Sequence, residues 1–442
     1  MSEPPVPRRG RPGRDGSLAV RLAPVPASVA RARTQVRELL RATDREDLTD
    51  TAVLLVSELV TNALLHAGTE IDLAAAVDPT GLRVEVGDGS VHLPARRAYG
   101  PTAGTGRGLL MLESAVDDWG VTRHPHGKTV WFHVSEVEAH PPAVPSSPRA
   151  LDGAVEPGSP ESVPVELRNM PLLLHAAWQE YAEALLREYL LASLEGEGVD
   201  PIQMHADATD AIAVLEEHVP AAPVPLASDA PLIGAVEPSV SAARIELPVP
   251  RESVAHFETL DRAIEAALDL SREGLVLAAP TQPEVETFRR WMCREVLRQA
   301  AGGSPEPWSV PEDAGRRPAP PPEWDPRSVT EAPGGVVAAD QGSTILAVST
   351  PAAALLGYDD PGDLVGARLV TIIPERYRQA HLAGLTMYLL VGRRPLLDRV
   401  SRLPALRADG SEVAVELLVR EHPAGEGRSV LIADIRPAGH QG

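Results

Sequence analysis

The first third of the chain contains segments in which apolar residues recur with the period of a strand and a segment in which they recur with the period of a helix. Apolar and polar residues alternate over residues 17–22, 71–77 and 82–86, which predicts an edge strand and a hairpin. After Ser28, which we expect to cap a helix, apolar residues recur at helical spacing at Val29, Ala32, Val36, Leu39 and Leu40. These elements predict a first domain that contains both strands and helices.

The middle of the chain carries a different pattern. In each of four segments, apolar residues recur at helical spacing and form a stripe along one side: residues 165–194, 204–219, 252–271 and 285–301. Because each stripe needs a partner, we expect a central helical bundle over residues 164–301, either antiparallel with four helices or dimerising.

Three low-complexity stretches rich in Pro, Ala, Ser or Glu divide the chain: residues 138–163, 219–243 and 302–326. The second interrupts the predicted bundle, and the third contains a Pro-rich run that we expect to be extended. The fold class is therefore α+β multidomain, with domains predicted over residues 15–137, 164–301 and 327–437.

The last predicted domain begins with a hairpin pattern over residues 335–349, followed by short helices and, after Pro374, a longer helix. Its final strands follow a turn at residues 407–411. Elements in this order resemble a PAS domain. The resemblance implies a C-terminal PAS fold whose sheet cups a small cavity used for ligand sensing or dimerisation.

A polar row interrupts the apolar surface of one predicted helix in the first domain. Glu58, Asn62 and His66 recur at every fourth position and so share one face, and Gly68 is expected to end the helix. A carboxylate and an amide side by side suit a magnesium ion and an attacking hydroxyl, because hard cations prefer oxygen ligands. The alternative is an amphipathic helix with a solvated polar stripe.

Two glycine-rich motifs follow this helix. Asp88 lies between Gly87 and Gly89 after a predicted strand, where its carboxylate could accept a hydrogen bond from an adenine amino group. Residues 104–108 form a glycine-rich loop before an apolar helix, where backbone N–H groups and Arg107 would form an anion site. The loop lacks the Gly-Lys-Ser/Thr ending of a P-loop and the βαβ unit of a dinucleotide site.

Together these motifs resemble the ATPase superfamily of gyrase, histidine kinases and heat-shock chaperones, and most closely its bacterial anti-sigma-factor serine kinases. The resemblance implies an α/β sandwich that binds Mg-ATP, with residues 128–132 in its closing strand. It assigns Asn62 to the magnesium ion, Asp88 to adenine and Glu58 to general-base catalysis. It assigns further nucleotide contacts to Gly104, Gly106, Arg107, Gly108 and Thr129.

Composition narrows the possible partners and location. The formal net charge is −21, and without basic patches the chain is not expected to bind nucleic acid. Its single cysteine, Cys293, cannot form an internal disulfide, and no apolar run reaches the ~18–20 residues of a membrane span. Because the start of the chain has no hydrophobic signal core, we expect a cytoplasmic protein.

Two histidines raise further hypotheses. His175 could accept phosphate in an atypical histidine kinase, although Ala176 replaces the usual acidic neighbour and the ATPase segment comes first. His381, in the long helix of the PAS-like segment, resembles an axial haem ligand, since a neutral imidazole in an apolar pocket can bind iron. The preferred interpretation is an ordinary helix histidine for His175 and a solvated or capping histidine for His381, which leaves the PAS ligand unknown.

The favoured function is a PAS-regulated serine/threonine kinase of the anti-sigma type, with ATP and Mg²⁺ as cofactors. It would phosphorylate an antagonist protein; a sigma factor is the other candidate partner. The alternatives are a non-catalytic, ATP-dependent switch that sequesters its partner, or an atypical histidine kinase. A homodimer through the helical region or the PAS segment is compatible with each.

Overall fold

The computed structural model describes residues 16–90, 116–124, 127–135, 162–193, 200–223, 236–237, 239–278, 281–310, 324–392, 396–425 and 428–439. Contacts divide the chain into two units. The first comprises Met1–Val163, Ser193–Glu217 and Val249–Ala263, and the second comprises Pro164–Ala192, His218–Pro248 and Ile264–Gly442.

Among the described residues, the N-terminal domain contains the helices and strands β1 (Ser17–Leu22), α1 (Ala27–Ala42), α2 (Thr49–Ala67), β2 (Ile71–Asp78), β3 (Gly81–Asp88), β4 (Asp118–His124) and β5 (Gly127–Val134). The five strands form one antiparallel sheet in the order β1-β2-β3-β5-β4. Helices α1 and α2 pack against each other, and α2 packs on β3. The edge strand and the β2–β3 hairpin are as predicted, whereas β4 was not predicted.

Strand alternation gives the sheet one apolar face toward the helices. Leu73, Val86 and Val130 lie side by side in register, and all three are buried. Helix α2 contributes a matching set of buried residues: Ala52, Val56, Leu59, Val60 and Ala63. The helix ends at Gly68, as predicted, with a φ of 59° that glycine adopts without strain.

The start of α1 differs from the prediction that Ser28 caps it. The helix begins at Ala27, with Pro26 in the cap position and already in the helical region at φ −55°. Proline fixes φ near this value, so it suits a helix start. Ser28 is buried in the first turn, and its hydroxyl donates to the carbonyl oxygen of Ala23 at 2.7 Å.

The predicted central helical bundle is wrong, because two strands interrupt it. The segment contains β6 (Ser162–Pro171), α3 (Leu172–Ser193), α4 (Pro201–His218), β7 (Ser241–Pro250), α5 (Val254–Arg272) and α6 (Pro283–Ala300). The chain thus runs strand–helix–helix twice, and β6 pairs with β7 in a two-stranded sheet. Val165 and Leu167 are buried with exposed or half-buried neighbours, which is the period of a strand.

The C-terminal domain contains α7 (Arg327–Thr330), β8 (Gly335–Asp340), β9 (Ile345–Val348), α8 (Thr350–Leu355), α9 (Glu375–Val391), β10 (Val400–Leu406), β11 (Glu412–Pro423) and β12 (Ser429–Pro437). Its five strands form an antiparallel sheet in the order β10-β11-β12-β8-β9. The opening hairpin, the long helix and the final strands are as predicted.

Within the second unit, α9 packs against the middle segment. Leu173, Ala177 and Val240 form one buried cluster with Ala380, Ala383 and Met387 of α9. The Gln379 side-chain oxygen accepts a hydrogen bond from the backbone N–H of Leu173 at 2.8 Å.

A buried ion pair joins the same two parts of the chain. The Arg368 guanidinium donates to both carboxylate oxygens of Glu284, at 2.9 and 2.7 Å, and to the Thr344 hydroxyl at 2.7 Å. The Glu284 side chain is 0% exposed and that of Arg368 is 11% exposed. The C-terminal domain is therefore fixed to the middle segment by charge at the start of α6 and by apolar packing against α3.

Candidate functional site

Helix α2 carries the predicted metal and base residues. Glu58 and Asn62 lie four residues apart and are both half-buried, whereas His66, one turn further, is exposed. Because α2 packs on β3, this polar face lies on the helix side of the sheet. The Asn62 amide oxygen suits a magnesium ion, and the Glu58 carboxylate one turn before it suits the predicted role of a base.

Asp88 is the last residue of β3, and Gly89 after it lets the backbone lie close to the side chain of Thr69. A Cβ on Gly89 would lie 2.8 Å from the Thr69 methyl carbon, so a larger residue would not fit without a shift. The Gly89 N–H donates to the Thr69 hydroxyl at 2.9 Å, which fixes the turn after the strand. The predicted adenine-binding carboxylate is thus held on a rigid strand end.

Lys128 forms an ion pair with this carboxylate. The two residues are opposite in the β3–β5 register, and the Lys128 ammonium donates to Asp88 Oδ1 at 3.0 Å. Their side chains are only 8% and 4% exposed. Burial raises the pKa of Asp88 above its ordinary value, and the charge of Lys128 opposes that rise.

Thr129, predicted to contact the nucleotide, does not lie beside the Asp88 carboxylate. Successive side chains of a strand point to opposite faces, so Thr129 lies on the face away from the helices. Its hydroxyl is 3.0 Å from His124 Nε2 and 3.3 Å from the position of a Cβ on Gly87. Lys128, rather than Thr129, occupies the position beside Asp88.

A groove of about 590 Å³ crosses the strand ends, largely on this outer face. Arg21 on its wall is paired with Asp72 at 2.8 Å. The other charged groups along the outer face include the carboxylates of Glu70 and Glu85. Carboxylates repel a polyphosphate, so the phosphates of ATP would not lie along this groove.

The glycine-rich loop of the predicted site, Gly104, Gly106, Arg107 and Gly108, lies outside the described residues. The described part of the predicted site therefore comprises helix α2, with Glu58 and Asn62, and the strand end with Asp88 and Lys128.

The C-terminal sheet and α9 enclose a second cavity of about 260 Å³. It is lined almost entirely by apolar side chains, among them Val337, Leu356, Leu385, Val415 and Leu431. This volume lies below the ~300–1,000 Å³ of typical ligand pockets, and the lining offers few polar groups. The cavity suits a small, uncharged apolar molecule.

His381 lies at the edge of this cavity. Its Nε2 is 3.0 Å from the hydroxyl of Ser343, a buried residue with a φ of 68°. Burial lowers the pKa of His381 to about 4, so the ring is neutral at ordinary pH. The hydrogen bond gives Nε2 a structural role that a bound haem iron would have to replace.

We therefore expect the purified full-length protein to be colourless, with no Soret band in its absorption spectrum. The Ser343 hydroxyl and the small volume of the cavity both oppose haem binding. A Soret band that vanishes in His381→Ala would contradict this expectation and make the C-terminal domain a haem sensor.

His175 is buried in an aromatic cluster of the second unit. It is 4% exposed, and its ring centroid lies 5.8 Å from that of Trp178 and 6.5 Å from that of Phe288. A phosphate acceptor must be reached by the donor nucleotide. The burial of His175 therefore argues against the atypical histidine kinase.

Comparison with known proteins shows which family the N-terminal part of the chain resembles. Residues 22–134 match the family model described as histidine kinase-like ATPase domain. The match implies ATP binding and, at a coarse level, kinase-type phosphotransfer. An uncharacterized protein of Azorhizobium caulinodans is 36% identical over 101 residues, which cover 23% of this chain and 14% of that protein.

Solved structures similar to part of the chain include two PAS domains. One, from an HTR-like protein of Haloarcula marismortui, has 23% identity and a TM-score of 0.19, and the match covers 25% of this chain and 87% of that one. The other, from Desulfitobacterium hafniense, has 13% identity and a TM-score of 0.21, with coverage of 24% and 94%.

One described stretch, Glu46–Ala67, is long and apolar enough to cross a membrane by length and composition. It includes α2, and half of the apolar window is buried inside the fold. Buried core helices of soluble proteins pass the same test, so the feature is explained by the packing of α2 on the sheet.

The described residues fit a nucleotide at the Asp88 strand end. A buried carboxylate with an adjacent ammonium offers both an acceptor and a donor to a purine base. The amide oxygen of Asn62 on α2 is of the kind that a magnesium ion prefers, and the Glu58 carboxylate lies one turn before it.

Lys128 is the functional candidate that the sequence reasoning missed. It is the only lysine in a chain with 41 lysine and arginine residues in total. That isolation is visible in the sequence, but it does not show on which face of β5 the side chain lies.

Proposed function

We propose that this chain is an ATP-dependent serine/threonine kinase of the anti-sigma type, regulated by its C-terminal PAS-like domain. The observation that supports it most is the N-terminal domain, in which a family match and a buried Asp88 at a strand end coincide. The proposed substrate is a hydroxyl of an antagonist protein, and a sigma factor is the second candidate partner.

The proposed roles follow the chemistry of the side chains. Asp88 accepts the adenine amino hydrogen, and the Asn62 amide oxygen binds the magnesium ion. Glu58, one turn before Asn62, accepts the proton of the attacking hydroxyl. Bound Mg-ATP supplies the phosphoryl group. Gly104, Gly106, Arg107 and Gly108 are proposed to contact its phosphates.

Regulation is proposed to act through α9. One side of this helix lines the apolar cavity with Gly384 and Leu385. Ala380, which also borders the cavity, and Ala383 pack against Leu173 in the buried cluster of the middle segment. A ligand that shifts α9 must therefore also disturb that cluster. A cytoplasmic location and a homodimer through the middle or C-terminal part remain part of this proposal.

A non-catalytic switch is the second candidate, and one contact favours it. A Cβ on Gly68, at the end of α2, would lie 2.7 Å from the Cβ of Ala206 in α4. Helix α4 thus packs against the end of the helix that carries Asn62. A change in nucleotide state could reach the middle segment by this contact without any phosphate transfer.

Both candidate functions require a protein partner whose binding depends on ATP, and capture of that partner tests this requirement. The immobilised full-length protein is incubated with cell extract, with and without Mg-ATP. We expect a partner that is retained in an ATP-dependent manner by the wild type but not by Asp88→Asn. Equal retention under all these conditions would contradict a nucleotide-controlled partner.

Two substitutions test the proposed nucleotide contacts. In Asp88→Asn an amide donor would face the adenine amino donor, and Asn62→Ala removes a magnesium ligand. We expect both to weaken ATP binding by roughly ten-fold or more, as for hydrogen bonds to charged groups. Only Asn62→Ala should reduce the dependence on magnesium. Calorimetric titration of full-length proteins measures both effects, and unchanged affinity in both variants would refute these assignments.

A further inference from the structure

We propose that Lys128 reads the nucleobase together with Asp88. Its ammonium donates a hydrogen bond to a ring nitrogen of adenine, while the carboxylate accepts one from the adjacent amino group. This inference rests on the proposed function, since it requires that ATP binds at the Asp88 strand end. It adds a specificity residue that the family motifs do not include.

The ion pair between Asp88 and Lys128 leaves one hydrogen-bond acceptor and one donor for a nucleobase. Asp88 Oδ1 accepts from the Lys128 ammonium at 3.0 Å and from the Ser90 N–H at 2.8 Å. Among the described residues, no hydrogen-bond donor reaches Asp88 Oδ2. The ammonium has three N–H groups, of which one meets Oδ1 and another the Ser90 carbonyl oxygen at 3.5 Å. One acceptor and one donor are therefore left side by side.

Adenine presents the complementary pair. Its amino group is a donor, and each ring nitrogen next to it, N1 and N7, is an acceptor. The free Oδ2 of Asp88 and the third N–H of Lys128 match such an edge. Because both side chains are less than a tenth exposed, the base would meet them where water competes little.

The identity of the residue supports a role beyond charge balance. Of the 41 basic residues in the chain, only this one is lysine. An arginine opposite Asp88 would present a planar fork that bonds both carboxylate oxygens at once. It would therefore occupy Oδ2 and leave no acceptor for the adenine amino group. Lysine neutralises the carboxylate through one oxygen only.

Nucleotide analogues on the full-length protein test this inference. The affinities of ATP, 1-deaza-ATP and 7-deaza-ATP are measured for the wild type, Lys128→Met and Lys128→Arg. We expect the wild type to bind one deaza analogue roughly ten-fold or more weakly than ATP, because a bond to a charged donor is lost. Lys128→Met should bind ATP as weakly as the wild type binds that analogue. It should also bind ATP and that analogue with equal affinity. Lys128→Arg should keep the fold and lose ATP affinity.

The outcomes separate the inference from the proposed function. Wild-type protein that binds ATP and both analogues equally, with full affinity retained in Lys128→Arg, would show a structural ion pair and overturn the inference alone. Wild-type protein that does not bind ATP would overturn the proposed function and this inference with it.

A second measurement does not depend on the folding of any variant. Because Lys128 is the only lysine, [15N]lysine labelling of the wild-type protein yields a single side-chain ammonium signal. We expect Mg-ATP to shift this signal, and 7-deaza-ATP or 1-deaza-ATP to reproduce only part of the shift. A signal that stays unchanged when ATP is bound would place Lys128 away from the base.

Discussion

Replacing Glu58 with glutamine is expected to slow phosphate transfer by about 10²–10⁴-fold, which is the usual contribution of a general base. The variant keeps the shape of the side chain but cannot accept the proton of the attacking hydroxyl. ATP affinity should stay near that of the wild type, because Glu58 lies on α2 one turn before Asn62 and not at the adenine end of the site. The assay is single-turnover transfer of labelled phosphate from ATP to the captured partner.

Asp50, in the first turn of the same helix, offers a matched control. Asp50→Asn removes one carboxylate from α2 two turns before Glu58, so it should change neither binding nor transfer. Equal transfer rates in the wild type and Glu58→Gln would show that Glu58 is not the base.

Breaking the Glu284–Arg368 pair is expected to have the largest effect on stability. In Arg368→Met the carboxylate of Glu284, which is 0% exposed, loses both of its charged hydrogen bonds. Removal of one partner from a buried ion pair costs about 3–5 kcal/mol. Tryptophan fluorescence during urea unfolding reports this loss, since Trp178, Trp291, Trp308 and Trp324 lie in the second unit.

The exposed pair Arg420–Asp434 is the matched control in the same unit. Its side chains are 50% and 51% exposed, so Arg420→Met should cost only about 0–1 kcal/mol. A double variant, Glu284→Leu with Arg368→Met, should recover much of the loss, because no unpaired charge stays buried. Equal destabilisation by Arg368→Met and Arg420→Met would contradict a special role for the buried pair.

The elements of the N-terminal domain could be predicted where a local signal specifies them. The β2–β3 hairpin follows from alternation and its turn, and the end of α2 follows from Gly68, whose left-handed backbone favours glycine. The position of Asp88 at the end of β3 could be predicted as well, because its strand and its flanking glycines are contiguous in the sequence. These signals span only a few residues and need no knowledge of distant contacts.

The face on which β5 residues lie could not be predicted in this way. Val130, Trp131 and Phe132 are all buried, so both faces of the strand are apolar there and alternation gives no direction. Thr129 was assigned to the nucleotide by the family resemblance, and since a shift of one residue exchanges the faces, the sequence alone does not show whether Lys128 or Thr129 lies beside Asp88. Only the pairing of Asp88 with Lys128 in the sheet decides between them.

The strands of the middle segment were missed for a related reason. Residues 165–171 continue without a glycine into the apolar start of α3, so the two periods merge into one long helical pattern. Strand β7 begins inside a low-complexity stretch, and its partner β6 lies more than 70 residues earlier in the chain. Pairing over such a separation leaves no local signal.

The central claim is that ATP bound at Asp88 and Asn62 donates phosphate to a protein hydroxyl. The most direct test incubates the full-length protein with γ-labelled ATP, magnesium and the partner captured in an ATP-dependent manner. The account predicts acid-stable phosphate on a serine or threonine of the partner, and none when Asp88→Asn replaces the wild type. Tight ATP-dependent capture with no phosphate on either protein would contradict the kinase and support the non-catalytic switch. Acid-labile phosphate on this chain would contradict both.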